Sequence, residues 1–239
     1  MNKYFTCGAL VVAALFVPVA GTAQSVKKHQ KKTPYFFDRC SLNYSSVLQS
    51  PPSDGSEIGR NDHETVVRLQ EERTEAEIDA AQRDDQEEDI FVFRDVVGEQ
   101  FTAENLPLTR QFSAHLENDS EVVDPPLKHL FNRPRPYAAD KELHPVCELS
   151  DEPSYPSGHA MLGYLFGYVL AQMVPEERDV ILERADLYAH HRLICGVHYP
   201  QDLEASRIAS AVLFGLISTN PEYRREFQAA HHEIEQKLK

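Results

Sequence analysis

The sequence has little of what a β-sheet protein needs. Glycine accounts for only 10 of the 239 residues, and runs in which β-branched and polar residues alternate are nearly absent. Turns and half-buried strands therefore have few candidates. Charged segments with apolar residues at helical spacing dominate instead. We predict an all-α protein, a helical bundle in a single domain.

An excess of positive charge is also missing. The formal net charge is −14, with 38 acidic and 24 basic residues and histidine counted as neutral. Because binding to the nucleic-acid backbone depends on a basic surface, we exclude nucleic acid as a partner. An anionic small molecule would have to be held by a local basic pocket.

No apolar run reaches the roughly 20 residues that a membrane-spanning helix needs. The apolar run over 5–20 follows a basic start and precedes small residues, a layout typical of a secretory signal. We predict a signal peptide over 1–23 and a mature chain that is periplasmic or secreted, without a membrane span. An uncleaved membrane anchor is the alternative. Residues 24–44 are predicted to be an N-terminal tail, and 45–239 the folded domain.

Two segments, 159–174 and 206–218, are apolar on nearly every side and are predicted to be buried central helices. Residues 62–86 have the charged pattern of a surface helix with a narrow apolar face, and the acidic run over 83–101 continues in helical style. A further segment places three apolar residues in steps of four, which predicts another amphipathic helix: Leu108, Phe112 and Leu116.

A histidine opens the first apolar segment, in Pro156-Ser157-Gly158-His159. If Ser157 caps the helix, the unpaired N–H groups of the first turn and the helix dipole create a site for an anion. Gly158 would let the anion approach the backbone closely, and His159 would reach it. Taken alone, such a cap is weak evidence of function.

A second cluster lies in HRLICGVHYPQD, residues 191–202. Pro200 stands at a favoured first helical position, so Asp202 falls in the first turn of a helix and His198 just before it. The carboxylate can accept a hydrogen bond from one ring nitrogen of His198 and leave the other nucleophilic. An ordinary structural His–Asp pair would look the same.

A third cluster, in PPLKHLFNRPRP, contains Lys128, Arg133 and Arg135. The prolines stiffen the backbone, and rigidly placed guanidinium groups suit the planar recognition of phosphate oxygens. A solvated basic face is the structural alternative.

Together these clusters resemble the three-part signature of the phosphatidic acid phosphatase type 2 and vanadium haloperoxidase superfamily. The parts are Lys128 with Arg135-Pro136 after six residues, the Pro-Ser-Gly-His stretch, and Arg192 followed by His198 and Asp202. The signal-like start and the phrases LQSPPSDGS, SYPSGH and CGVHYPQD resemble the bacterial class A non-specific acid phosphatases. The resemblance covers about residues 45–215 and is densest after 120.

The resemblance implies an exported acid phosphatase of broad range on small phosphate monoesters, with neither metal nor cofactor. His198 would attack phosphorus to form a phosphohistidine, Asp202 would orient it, and His159 would protonate the leaving alkoxide and then activate water. The phosphate oxygens would be bound by Lys128, Arg135, Ser157, Gly158 and Arg192. Because the two histidines need opposite protonation states, we expect a bell-shaped pH profile with an acid optimum.

Two alternatives use the same pocket: a vanadium-dependent haloperoxidase, with vanadate as a phosphate mimic, and a phosphotransferase. The short chain and the phrase CGVHYPQD count against the haloperoxidase. His191 stands where the family usually has serine. This exchange either has little effect behind the pocket, or it narrows the pocket or adds a titratable charge. The sequence leaves open whether the protein forms a homo-oligomer.

After removal of the signal, three cysteines remain, which allows at most one disulfide within the chain. Their spacing does not resemble a zinc site. We predict a Cys147–Cys195 bond, because both residues lie in segments that flank the proposed site residues, and Cys40 as the free thiol.

Overall fold

The computed structural model describes residues 32–38 and 43–238, and the regular elements within these ranges are all helical, which confirms the predicted fold class. Lys32–Lys239 forms one compact unit. The predicted signal peptide, Cys40 and most of the predicted tail lie outside the described residues. Short 3-10 helices lie at Tyr44–Ser46, Ile90–Phe93 and Pro175–Glu177. The α-helices are α1 Glu57–Glu72, α2 Glu75–Gln86, α3 Arg94–Val97, α4 Pro107–Phe131, α5 Pro136–Ala139, α6 Gly158–Met173, α7 Arg178–Ile194, α8 Pro200–Ile217 and α9 Pro221–Leu238.

Helix α6 is the central helix, buried over most of its length and packed against α4, α7 and α8. Gly163 allows α7 to approach closely, since a Cβ at this position would lie 2.4 Å from Cδ1 of Tyr188. One turn further along, Gly167 faces Ala185. The two helices are therefore antiparallel, and the start of α6 lies beside the end of α7.

The second apolar segment belongs to α8, which begins earlier, at Pro200. The α8 residues that are buried lie mainly on one side, whereas Ala211 and Gly215 are exposed. This helix thus packs one face on α6 and shows the other to solvent. Within the described ranges, no helix combines the length and the apolar character needed to cross a membrane.

The single surface helix predicted over 62–86 is two helices, α1 and α2. Thr74 caps α2: its hydroxyl accepts a hydrogen bond from the N–H of Glu77 at 3.3 Å, and the Glu77 carboxylate accepts one from the N–H of Thr74 at 2.7 Å. Such a capping box marks the start of a helix, so α2 begins as a separate helix. The helical pattern expected through 101 is also interrupted, because α2 ends at Gln86 and the buried Ile90–Phe93 turn follows.

In α4 the predicted apolar face is confirmed at Phe112 and Leu116, which are buried. It is wrong at Leu108, whose exposed fraction is 49%. The first turn of α4 is held through its backbone instead. The Glu233 carboxylate on α9 accepts hydrogen bonds from the N–H groups of Leu108 and Thr109, at 3.0 and 2.8 Å.

Candidate active site

The three predicted clusters meet at one cavity of about 560 Å³. Among the lining residues are six of the nine predicted site residues: Lys128, Arg135, Gly158, His159, Arg192 and His198. The other three, Ser157, His191 and Asp202, are buried and do not line the cavity. The cavity therefore collects three cationic side chains and two histidines from distant parts of the chain.

His198 is almost fully buried, with Nε2 3.2 Å from Nη1 of Arg135 and Nδ1 3.4 Å from Oδ2 of Asp202. A guanidinium group can only donate, so Nε2 must accept and the ring proton lies on Nδ1, facing the carboxylate. Burial, together with the positive charges of Arg135 and Lys128, holds the pKa of His198 well below its usual value of 6.5. His198 is therefore a neutral imidazole, and the lone pair of Nε2 lies on the side of the ring that faces Arg135.

Asp202 is fully buried behind His198. Its Oδ2 accepts hydrogen bonds from the N–H of Tyr199, at 2.8 Å, and from the hydroxyl of Ser154. Its Oδ1 accepts one from Nη1 of Arg133 at 2.7 Å. The first turn of α8 and two side chains from earlier in the chain thus fix the carboxylate. Sequence reasoning missed Ser154, because no local pattern links it to a residue 48 positions away.

The Arg-Pro-Arg-Pro stretch sends its two arginines to different places. Proline restricts the preceding residue to extended backbone, and Arg135 has φ −70° and ψ 154°. Arg135 lines the cavity, whereas Arg133 lies behind Asp202. The sequence placed both in a phosphate-binding cluster, and only Arg135 faces the cavity.

Lys128 and Arg135 are held by the backbone of the turn before α6. Nζ of Lys128 donates to the carbonyl oxygens of Pro153, at 3.0 Å, and Pro156, at 2.7 Å. Nε of Arg135 donates to the carbonyl oxygen of Glu152 at 2.9 Å. Both cations are thereby fixed while part of each head group remains at the cavity wall.

Ser157 caps α6 as predicted, and its Oγ accepts a hydrogen bond from the N–H of Ala160 at 3.3 Å. Its own N–H donates to Oγ of Ser206 at 2.9 Å. The next residue, Gly158, lines the cavity, and a Cβ there would lie 2.8 Å from Oδ2 of Asp124. A side chain at this position would therefore crowd the Asp124 carboxylate of α4.

His159 faces the cavity from the first turn of α6, and its Nε2 lies 2.8 Å from Oε1 of Glu88 and 3.3 Å from the carbonyl oxygen of Asp85. Both oxygens are acceptors, so Nε2 carries a proton. The hydrogen bond from His159 lowers the pKa of the Glu88 carboxyl. His159 is thus present with a proton on the nitrogen that faces these oxygens.

Carboxylates lie beside two of the three cations of the cavity. Asp85 is bonded to Arg192, and Oδ1 of Asp124 lies 3.7 Å from Nζ of Lys128. Burial raises the pKa of the Asp124 carboxyl. Further carboxylates line the cavity: Glu117, Glu121, Glu148 and Glu152. The segment from 84 to 88 has the pattern of a charged surface helix in the sequence, yet three of its carboxylates, Asp84, Asp85 and Glu88, contact predicted site residues.

His191 does not reach the cavity. Its Nδ1 lies 2.6 Å from Oδ2 of Asp84, whose two oxygens also accept hydrogen bonds from Arg184 at 2.9 and 2.7 Å. Of the two sequence-based alternatives, this geometry favours the one in which His191 lies behind the pocket. It joins α7 to the end of α2.

The predicted disulfide between Cys147 and Cys195 is formed, which confirms that prediction. The N–H of Val146 also donates to the carbonyl oxygen of Cys195 at 3.1 Å. The loop before α6 is therefore joined to the end of α7, three residues before His198.

A family model described as the PAP2 superfamily matches residues 120–226. The chain is 26% identical over 230 residues to an acid phosphatase of Zymomonas mobilis, a match that covers 90% of this chain and 85% of that protein. It is 25% identical over 241 residues to a non-specific acid phosphatase of Providencia stuartii, covering 96% and 95%. These matches confirm the resemblance predicted from the three motifs.

Two solved structures are similar in fold. One is a transmembrane PAP2 type phosphatidylglycerolphosphate phosphatase from Bacillus subtilis, with a TM-score of 0.50, 17% identity, and coverage of 70% of this chain and 87% of that one. The other is a bacterial vanadium-dependent iodoperoxidase, with a TM-score of 0.56, 18% identity, and coverage of 72% and 52%. At these identities the likeness shows the fold alone.

Proposed function

We propose that this chain, a phosphatase by its PAP2 superfamily match and its acid phosphatase relatives, hydrolyses small phosphate monoesters through a phosphohistidine at His198. The proposal includes export to the periplasm or medium and a broad substrate range. One observation carries it: a neutral His198 whose Nε2 accepts a hydrogen bond beside three cationic side chains. A nucleophile and the charges that bind its target share one cavity.

In the first half of the reaction, the Nε2 lone pair attacks phosphorus while the bond from phosphorus to the ester oxygen breaks. Nδ1–H of His198 remains directed at Asp202, whose negative charge stabilises the imidazole as it becomes positive. His159, with a proton on both ring nitrogens, donates the Nε2 proton to the departing oxygen, which leaves as an alcohol, and His159 becomes a neutral imidazole. The phosphoryl group is then bonded to His198.

In the second half, His159 accepts a proton from water, and the resulting hydroxide attacks phosphorus. The phosphorus–nitrogen bond breaks, its electron pair returns to Nε2, and inorganic phosphate leaves. His159 regains its protonated form and His198 its neutral form, so each turnover starts from the same states.

Fixed cations make this route independent of a metal in our proposal. Phosphoryl transfer depends mainly on positioning and on stabilising charge at the equatorial oxygens. Lys128, Arg135 and Arg192 supply positive charge on one wall of the cavity, and the start of α6 adds its dipole. Backbone carbonyl oxygens hold Lys128 and Arg135, and Asp85 holds Arg192, before a substrate binds.

Vanadate fits the same three cations, because it mimics phosphate in shape and charge. The cations would hold its oxygens, and the vanadium centre would supply peroxide activation. We favour the phosphatase, since the acid phosphatases of Zymomonas mobilis and Providencia stuartii match most of this chain. Bromide oxidation by peroxide in the presence of vanadate would favour the haloperoxidase instead.

The test is a panel of small phosphate monoesters, assayed with a chelator between about pH 4 and pH 8. We expect turnover throughout the panel, loss of it in His198→Ala, and no loss in the matched control His232→Ala, an exposed histidine on α9. Because the pKa of His198 lies well below 6.5, the nucleophile stays neutral as the pH falls through that value. The rate should hold in that range, and abolition by the chelator would contradict the metal-free route.

A further inference from the structure

Arg133 lies between two buried carboxylates. Nη1 donates to Oδ1 of Asp202 and Nη2 donates to Oδ2 of Asp62, both at 2.7 Å. The guanidinium carbon lies 4.0 Å from the ring centroid of Tyr199. Asp62 and Asp202 are fully buried, and Arg133 is 5% exposed. Charges of alternating sign therefore run from α1 through Arg133 to the partner of His198.

Stability alone does not explain this arrangement. Burying three charges costs desolvation free energy that their mutual attraction roughly offsets, and apolar side chains of similar size often serve the fold as well. The row ends on the carboxylate that contacts His198, which suggests a role in the chemistry.

We infer that Arg133 and Asp62 are positioning residues that act on His198 through Asp202. Arg133 fixes Oδ1, so Oδ2 is directed at Nδ1–H of His198. It also neutralises part of the charge of Asp202, which would otherwise stabilise imidazolium. This inference rests on the proposed role of His198.

Besides burial, the groups on the cavity side of His198 lower its pKa. Positive or titratable groups face it from the cavity, and the Ser154 hydroxyl and the negative Asp202 carboxylate lie at Nδ1. The cavity-side groups are Lys128, Arg135, His159 and Arg192. Arg133 thus weakens the negative charge of Asp202, which would otherwise favour protonation of His198 in acid.

The test removes the charges of Asp62 and Arg133 while it keeps a polar side chain at both positions. In the double variant Asp62→Asn/Arg133→Gln, one negative and one positive charge are removed, and Asp202 acts on His198 without opposition. We expect the protonation midpoint of the His198 ring, followed by NMR, to rise by roughly half a pH unit, because loss of the Arg133 charge raises it and loss of the more distant Asp62 charge partly offsets that rise at an effective dielectric constant of about 20. Arg133→Lys should keep the midpoint near that of the wild type.

Kinetics separate positioning from binding. In the double variant kcat should fall about tenfold, the loss expected for one charge-assisted hydrogen bond. Inhibition by inorganic phosphate should stay within about twofold, because all three cations of the cavity remain. Glu64→Gln, an exposed change on α1, is the matched control and should alter neither value.

An unchanged midpoint and unchanged kcat in the folded double variant would overturn the inference. If the double variant does not fold, Asp62→Asn and Arg133→Lys decide: reduced kcat with unchanged phosphate inhibition supports the inference, and wild-type kcat in both overturns it. The NMR midpoint needs no turnover. If the midpoint shifts in the double variant although the wild-type chain hydrolyses no monoester, the proposed function alone is refuted.

Discussion

Asp202→Asn should separate the nucleophile from the phosphate-binding cations. An amide has one acceptor oxygen, whereas Asp202 accepts from Arg133 on one side and from the N–H of Tyr199 on the other. Because Arg133 is charged, the amide oxygen should stay with it. The NH₂ group then faces the N–H of Tyr199 and Nδ1 of His198.

Two effects follow from that orientation. The clash of donors and the loss of a buried ion pair should cost about 3 kcal/mol, which lowers Tm by roughly 6–12 °C in a chain of this size. The NH₂ group would donate to Nδ1 of His198 and move the ring proton to Nε2. Loss of the nucleophilic tautomer should lower kcat by about 10³–10⁴, while phosphate inhibition stays near that of the wild type.

The assay is kcat on a chromogenic aryl phosphate at the wild-type optimum, with thermal unfolding and phosphate inhibition measured on the same samples. Glu204→Gln, which removes an exposed acid paired with Arg207 on the same helix, is the control. A folded Asp202→Asn enzyme with more than about a tenth of wild-type kcat would refute the tautomer argument.

Three other substitutions test separate parts of the account. Gly163→Ala pushes a Cβ into Tyr188 and should cost about 1–3 kcal/mol, so an unchanged Tm would mean that α6 and α7 are not in close contact. His159→Asn should reduce turnover of alkyl phosphates about tenfold more than that of aryl phosphates, which need little protonation on leaving; equal losses in both classes would contradict its role as the acid. His191→Ser should leave phosphate inhibition within about twofold at both pH 5 and pH 8, because His191 contacts Asp84 and not the cavity; weaker binding confined to acid pH would argue that its charge reaches the phosphate.

The position of a cavity residue could be predicted from the sequence where the same short stretch also contains the residues that start a helix. Pro200 predicts the start of the helix that contains Asp202, and Pro-Ser-Gly predicts the start of α6 beside His159. The prolines after Arg133 and Arg135 signal extended backbone. They do not reveal which arginine faces the cavity, because tertiary contacts decide that.

Contacts between distant segments were not predictable in the same way. Asp62 and Glu88 lie in acidic stretches that read as solvated, yet Asp62 is fully buried beside Arg133 and Glu88 contacts His159. Each carboxylate contacts a cation or a histidine that lies 71 residues away in the sequence. The spacing of residues within one helix therefore could not predict either contact. The break between α1 and α2 was different, because the Thr74–Glu77 capping box is visible in the sequence.

The most direct test of the central claim is the identity of the phosphorylated residue during turnover. Enzyme mixed with a rapidly cleaved aryl phosphate would be quenched in alkaline denaturant, where a phosphorus–nitrogen bond survives, and its peptides mapped by mass. We expect the phosphoryl group on His198 in the wild type and in His159→Asn, and none in His198→Ala. A phosphoryl group on His159 or on a serine, or turnover by His198→Ala at the wild-type rate, would contradict the account.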